Sequence, residues 1–167
     1  CFFSLEYYTT SNGNSWATQS DKRPFVNDPD LKVEKVLEGL KLPTSMTFLG
    51  PNDILVLEKD NGTVRRIVNG DLLKEPLLDV KVANKSERGM LGIATSKNED
   101  TNVTYVFLYY TEAKTKDGDD VSEANQPLGN RLYRYELEDN QLIKPKLLLN
   151  LPATPNRHNG GPLLIGP

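Results

Sequence analysis

A single histidine, His158, is the side chain in this sequence best suited to proton transfer. It lies in the segment Asn156-Arg-His-Asn-Gly-Gly-Pro162. Imidazole has an unperturbed pKa of about 6.5, close to the pH at which most proteins work. Gly160 and Gly161 lack a Cβ, so a ligand could approach the backbone closely. On these residues alone, a histidine that only caps a turn is the simpler interpretation.

Other metal-binding and nucleophilic residue types are sparse. With one histidine and one cysteine, Cys1, the chain excludes a zinc site built from several His and Cys side chains and an internal disulfide. No serine stands in a Gly-x-Ser-x-Gly context. The segment Asp117-Gly-Asp-Asp120 suggests a calcium loop, but the other ligands of an EF-hand are missing. A solvated acidic loop is therefore the favoured interpretation.

The elements that must position these residues are almost all β-strands. From Leu31 onward, short runs rich in Val, Ile, Leu, Tyr and Phe alternate with Gly, Pro, Asn and Asp, a pattern typical of strands separated by turns. The pattern does not predict an amphipathic helix. The predicted strands are 33–37, 44–49, 53–58, 63–68, 73–80, 90–95, 103–111, 130–137, 142–150 and 161–166.

The predicted strands fall into repeated units. One unit covers residues 43–80, a second covers 89–149, and a third opens at 160–165. Each complete unit has four strands in meander order, the composition of a propeller blade. The charged segment 112–127 is predicted to be a loop inserted between the second and third strands of the second unit. An open antiparallel sheet or a sandwich is the alternative fold.

Composition and the chain ends limit the classes of function. The net charge of -3 gives no basic excess for binding nucleic acid or an anionic membrane, and the apolar runs are too short to span a bilayer. Residues 1–30 are predicted to be a polar tether and residues 31–167 a domain. Cys1 fits two explanations: a lipid anchor left after a lipoprotein signal is processed, or an incomplete reading frame. The ending at Pro167 suggests a truncated domain.

Four segments resemble the PQQ-dependent glucose/sorbosone dehydrogenases, also called soluble aldose sugar dehydrogenases. They occur in the family's order and together cover about residues 40–167. The resemblance implies an all-β fold, a β-propeller that is six-bladed when complete. This chain would be its N-terminal part, about two blades plus the start of a third. The segments are Leu42-Pro-Thr-Ser-Met-Thr-Phe48, Ser86-Glu-Arg-Gly-Met-Leu-Gly-Ile-Ala94, Asn130-Arg-Leu-Tyr-Arg-Tyr135 and the last segment, 156–167.

The resemblance also implies an activity. The family oxidises the anomeric carbon of an aldose to a lactone by hydride transfer to PQQ, with Ca2+ as a second cofactor. It implies that His158 is the general base and that Glu87 faces the cofactor, where relatives carry an amide. A surface salt bridge between Glu87 and Arg88 is the alternative. The family's cationic clamp on the PQQ carboxylates and its calcium ligands lie mostly in later blades, so we name no metal ligand here.

Other functions and the location follow from the same features. A non-catalytic β-propeller that binds a protein or glycan at the cell surface is the main alternative, and a structural repeat protein is the third. The tether, three Asn-x-Ser/Thr sequons at Asn61, Asn84 and Asn102, and the family's habit predict an extracytoplasmic location, whether periplasmic, secreted or at the cell surface. The expected partners are an aldose substrate and an electron acceptor that the sequence does not identify.

Overall fold

A computed structural model describes residues 26–121, 126–153 and 155–166, and the chain divides into two compact units at Glu38. In the first unit, residues 26–38 contain a turn at Asp28 and an ion pair of 2.6 Å between Lys35 and Glu38, but no strand. The strand predicted at 33–37 is therefore wrong. A strand needs a neighbour for its backbone hydrogen bonds, and none is described for this segment. Most of the predicted tether lies outside the described residues.

The second unit is built from two antiparallel sheets. Sheet A contains β1 to β5, with β4 and β5 both paired to β3. Sheet B is a four-stranded meander in the order β6-β7-β8-β9. The strands are β1 Pro43–Gly50, β2 Asp53–Glu58, β3 Thr63–Val68, β4 Asp71–Leu72, β5 Leu78–Asp79, β6 Met90–Asn98, β7 Val103–Glu112, β8 Gly129–Glu138 and β9 Gln141–Leu151.

The two sheets agree with the predicted four-strand units, with two differences. The strand predicted at 73–80 is paired only at β5, and β4 forms just before it. The strand predicted at 161–166 is absent, because no described segment pairs with those residues. The loop predicted at 112–127 lies between β7 and β8 as expected, and it contains a short 3-10 helix at Asp119–Val121.

The core lies between the two sheets. Alternate side chains on each strand point to one face, so β2 and β7 each contribute residues to it. Leu55 and Leu57 of β2 pack in one cluster with Val106 and Leu108 of β7, and all four are completely buried. Tyr110 lies in the same cluster and stacks on Tyr133, with ring centroids 5.4 Å apart. This packing holds the strand ends, and thus the loops, in fixed places.

The antiparallel strands place two kinds of connection at opposite ends of the second unit. We call the end with residues 59–62, 81–89, 113–121, 126–128, 152–153 and 155–161 the loop end. The other end, which we call the turn end, has residues 51–52, 69–70, 99–102 and 139–140. A hydrogen bond of 2.7 Å from Thr44 Oγ1 to the carbonyl of Met90 shows that β1 and β6 both start at the loop end.

The last strand, β9, is an edge with exposed apolar side chains. It pairs with β8 on one side only in the described structure. Four of its leucines are between 38% and 50% exposed: Leu147, Leu148, Leu149 and Leu151. Leu142, near its start, is buried in the core. Most of this strand therefore has no apolar cover from the described residues.

Candidate functional site

His158 lies at the loop end, in the segment that follows β9. Its side chain is exposed and its φ is 60°. A non-glycine residue in this left-handed region costs on the order of 1–3 kcal/mol and persists only where its surroundings fix it.

Glu87 holds the main chain on both sides of Arg157. The N–H of His158 donates to the Glu87 carboxylate at 2.5 Å, and the N–H of Glu87 donates to the carbonyl of Asn156 at 3.3 Å. The structure thus brings together both residues that the resemblance singled out. Because this contact is to the main chain of His158, Glu87 fixes the position of the backbone from which the imidazole extends. Ser86, next to Glu87, also has a φ of 60°.

Tyr109 of β7 holds the residue after His158. Its hydroxyl donates to the carbonyl of Asn159 at 2.7 Å. Burial raises the pKa of the Tyr109 phenol, so the hydroxyl stays protonated and remains a donor at neutral pH. This bond ties the segment directly to sheet B.

A buried amide chain holds the side chain of Asn159. Thr111 donates to Oδ1 of Asn130 at 2.6 Å, and Nδ2 of Asn130 donates to Oδ1 of Asn159 at 2.9 Å. The remaining Nδ2 of Asn159 is buried and has no hydrogen-bond partner among the described residues. Nδ2 of Asn130 also donates to the carbonyl of Pro152 at 3.2 Å, and because a carbonyl can only accept, this bond fixes the orientation of both amides.

Two glycines allow the segment to lie directly on β6. A Cβ at Gly92 would come within 1.9 Å of the Gly161 carbonyl oxygen. Any larger residue at position 92 would therefore push the segment away from the sheet. Gly160 has a φ of 78°, a conformation that costs glycine little free energy because it has no Cβ.

The burial of Arg88 and Asp120 differs from two expectations drawn from the sequence. Asp117 is exposed as predicted, but Asp119 and Asp120 are 6% and 2% exposed, so these two carboxylates are not solvated. Arg88 is also buried and pairs with Asp120 at 2.8 Å, so the surface salt bridge with Glu87, which was the alternative role for Glu87, does not form. The reason is that Arg88 supplies a charge partner and the backbone of residues 84–85 supplies donors, which together make burial of Asp120 tolerable.

The loop end carries exposed cations that are available for a negatively charged ligand, among them Lys81, Lys114 and Lys116. Arg157 is exposed next to His158. Lys59 is already bound to Asp60 at 2.7 Å. Within the ranges that the structure describes, no three His, Cys, Asp or Glu residues are placed to hold a metal ion. The described part of the chain also contains no helix that is long and apolar enough to cross a membrane.

The arrangement gives an exposed imidazole on a fixed backbone beside a carboxylate. Such an imidazole can accept a proton from a hydroxyl that enters from solvent. Sequence reasoning missed the groups that fix it: Arg88, Tyr109, Asp120 and Asn159. One signal was available, because Asn130 begins one of the four segments used for the resemblance.

Comparisons with known proteins identify the family and the fold of the chain. The sequence profile of the family described as Glucose / Sorbosone dehydrogenase matches residues 40–167. A solved structure titled "Crystal structure of glucose dehydrogenase" is 20% identical, with a TM-score of 0.56, over 72% of this chain and 33% of that one. The PQQ-bound form of Aldose Sugar Dehydrogenase from Streptomyces coelicolor is 26% identical, with a TM-score of 0.53, over 69% and 32%.

A curated relative carries a different kind of name. Hedgehog-interacting protein of Mus musculus is 25% identical over 148 residues, which are 82% of this chain and 21% of that protein. The chain therefore spans about a third of the solved structures and about a fifth of this relative. The solved structures confirm the predicted β-propeller fold, of which this chain forms a part. The chain belongs to the glucose/sorbosone dehydrogenase family.

Proposed function

We propose that this chain carries the proton-accepting part of a sugar-oxidising active site, with His158 as the general base. The supporting observation is that His158 is exposed while the backbone around it is fixed at a positive φ by Glu87 and Tyr109. Strained residues that are held in this way concentrate at functional sites. The substrate would be an aldose and the product its lactone.

In this proposal, the imidazole of His158 takes the proton from the anomeric hydroxyl as the hydride leaves the anomeric carbon. Glu87 keeps the imidazole at a fixed height above the sheets by holding the His158 main chain. Gly160 and Gly161 leave room for a ligand next to the base. Bound PQQ would supply the hydride acceptor, and Ca2+ would be its companion ion.

The described residues fit one edge of a PQQ site. PQQ is a tricarboxylate and needs several fixed cations. Arg157 is exposed beside the base and is suited to one carboxylate, whereas Arg88 points inward onto Asp120. The remaining cations would come from other segments of the protein, and the calcium ligands from outside the described residues. An ionised Glu87 carboxylate only accepts hydrogen bonds. It would therefore contact the cofactor only through a group that carries a hydrogen or through a bridging group.

A second function has its own support. The curated relative is named for an interaction with Hedgehog, and its similarity extends over 82% of this chain. A non-catalytic propeller that binds a protein or glycan through the loop end would use the same fixed backbone without a cofactor. Fold alone does not distinguish the two functions. For both, we propose an extracytoplasmic location, in keeping with the predicted tether.

The test is an activity assay on the longest natural form of the protein. The protein is supplied with PQQ and Ca2+, and dye-linked aldose oxidation is compared with that of His158→Gln. We expect the substitution to lower kcat by about 10²–10⁴-fold, the usual contribution of a general base. PQQ binding, followed by its absorbance, should be unchanged.

The matched control is Asp139→Asn, an exposed residue of the turn end whose φ of 47° asparagine tolerates. It should retain full activity. If the unsubstituted protein neither binds PQQ nor oxidises any aldose, the enzyme proposal is wrong and the binding propeller becomes the better account.

A further inference from the structure

The loop inserted between β7 and β8 reaches the His158 segment through two buried charged side chains. Arg88 is 4% exposed and Asp120 is 2% exposed. Nη1 of Arg88 donates to Oδ2 of Asp120 at 2.8 Å. Charged groups remain this deeply buried only when they are paired and hydrogen-bonded. The mechanism proposed above assigns neither of them a role.

The other side of the same guanidinium holds the chain that leads to His158. Nε of Arg88 donates to the carbonyl of Ala153 at 3.1 Å, and Nη2 donates to the same oxygen. The planar guanidinium presents its donors in a fixed fork, so one side chain can hold a carboxylate and a carbonyl at a set separation. Ala153 is itself buried. Arg88 therefore fixes the start of the segment that ends at His158.

Asp120 also supports the residues that carry Glu87. Its carboxylate accepts from the N–H of Asn84 at 3.0 Å and from the N–H of Lys85 at 3.3 and 3.4 Å. These residues lie just before Glu87, which binds the other end of the segment. From Asp120, two routes therefore lead to His158: one through Arg88 and Ala153, and one through residues 84–87.

We propose that Asp120 and Arg88 are positioning residues for His158 and that the inserted loop acts on the site through them. The proposal rests on the function proposed for His158 and deepens it. Neither side chain touches the reacting atoms. Their effect is to set the distance between the inserted loop, residues 84–88 and residues 153–158. Loss of the pair should let the imidazole shift without removing it.

Asp120→Asn tests this, with Asp117→Asn as the matched control. Asp117 lies on the same loop and also accepts a backbone hydrogen bond, from Val82 at 2.8 Å, but the structure shows no contact of it with Arg88. In the longest natural form, we expect Asp120→Asn to lower kcat by about 10- to 100-fold with KM little changed, since a misplacement of about 1 Å can cost that much. Asp117→Asn should leave kcat nearly unchanged.

A second readout does not depend on activity. The imidazole NMR signals of His158, identified by their loss in His158→Gln, should shift in Asp120→Asn and stay in place in Asp117→Asn. The amides of residues 153–159 should exchange faster in Asp120→Asn alone. If the unsubstituted protein oxidises no aldose, the proposed function fails, while these two measurements still decide the positioning role.

If Asp120→Asn fails to fold, Arg88→Lys provides a second test of the same contact. Lysine keeps the positive charge beside Asp120 but lacks the fork that also reaches Ala153. It should shift the same NMR signals in the same direction, by a smaller amount. Signals that stay in place in every folded variant, or that shift equally in Asp117→Asn, would overturn the proposal.

Discussion

The loop end and the turn end of the second unit are built on the same strands but in different ways. At the turn end, short connections close the hairpins, and Asn69, Asn102, Asp139 and Asn140 supply the positive φ values. At the loop end, a positive φ falls on His158 and also on Ser86, a residue type that does not favour it. The turn end satisfies its geometry locally, whereas the loop end requires partners distant in sequence.

The charged pairs differ in the same way. Arg66 and Asp53 at the turn end are about 19% and 24% exposed and pair at 2.6 Å across adjacent strands. Arg88 and Asp120 at the loop end are almost fully buried and join segments that are not strands. A hairpin turn needs no buried charge to hold it. Burying the pair at the loop end costs desolvation free energy, which its hydrogen bonds to each other and to the backbone offset.

The largest difference in stability should appear when each arginine is removed. Arg88→Met leaves Asp120 without its charge partner and the Ala153 carbonyl without its donor, so it should lower the free energy of unfolding by about 3–5 kcal/mol. Arg66→Met should cost only about 1 kcal/mol, because its pair is partly solvated. Urea unfolding of both variants measures the contrast, and equal costs would show that the two ends are held alike.

A smaller difference is expected between two glycines of similar conformation. Gly62 at the loop end has a φ of 66°, and a Cβ there would lie 1.9 Å from the Val80 carbonyl oxygen. Gly62→Ala should cost about 2–4 kcal/mol from backbone strain and overlap together. Gly70 at the turn end has a φ of 89° and nothing within 4 Å, so Gly70→Ala should cost about 1 kcal/mol. Thermal unfolding distinguishes them, and a larger cost at Gly70 would contradict the contacts described.

Substitution of Tyr109 should have the smallest effect on stability but a clear effect on hydrogen exchange in residues 156–161. Tyr109→Phe removes the donor to the Asn159 carbonyl and should cost about 1 kcal/mol. Tyr105→Phe in the same strand retains the ring that packs against Arg134, at 4.4 Å, and should cost less than about 0.5 kcal/mol. Hydrogen exchange at residues 156–161 should rise only in Tyr109→Phe. Unchanged exchange would mean that Tyr109 does not hold the segment.

The sheets could be predicted from the sequence because their signal is local. The strands of sheet B, such as 103–111 against Val103–Glu112, were placed within a few residues by apolar runs and turn residues. The errors at 33–37 and 161–166 have one cause: apolar residues favour a strand, but a strand forms only where a second segment pairs with it. Sequence patterns do not reveal that partner.

The site could be predicted only in part, because its geometry is not local. The resemblance singled out His158 and Glu87, and the structure shows them in contact. The burial of Asp120 could not be inferred, because an acidic, polar stretch is usually solvated and its partner Arg88 lies in another connection. The positive φ of His158 likewise depends on Glu87 and Tyr109 and not on its neighbours in sequence.

The row of exposed leucines on β9 affects how the protein must be handled. An edge strand has backbone donors and acceptors that can pair with a strand of another molecule. Exposed leucines beside them favour aggregation, because the paired strands bury these side chains together. Residues 39–166 produced alone would expose this edge throughout purification. We expect recombinant yield to improve when longer segments of the natural protein are included, and short fragments to collect in inclusion bodies.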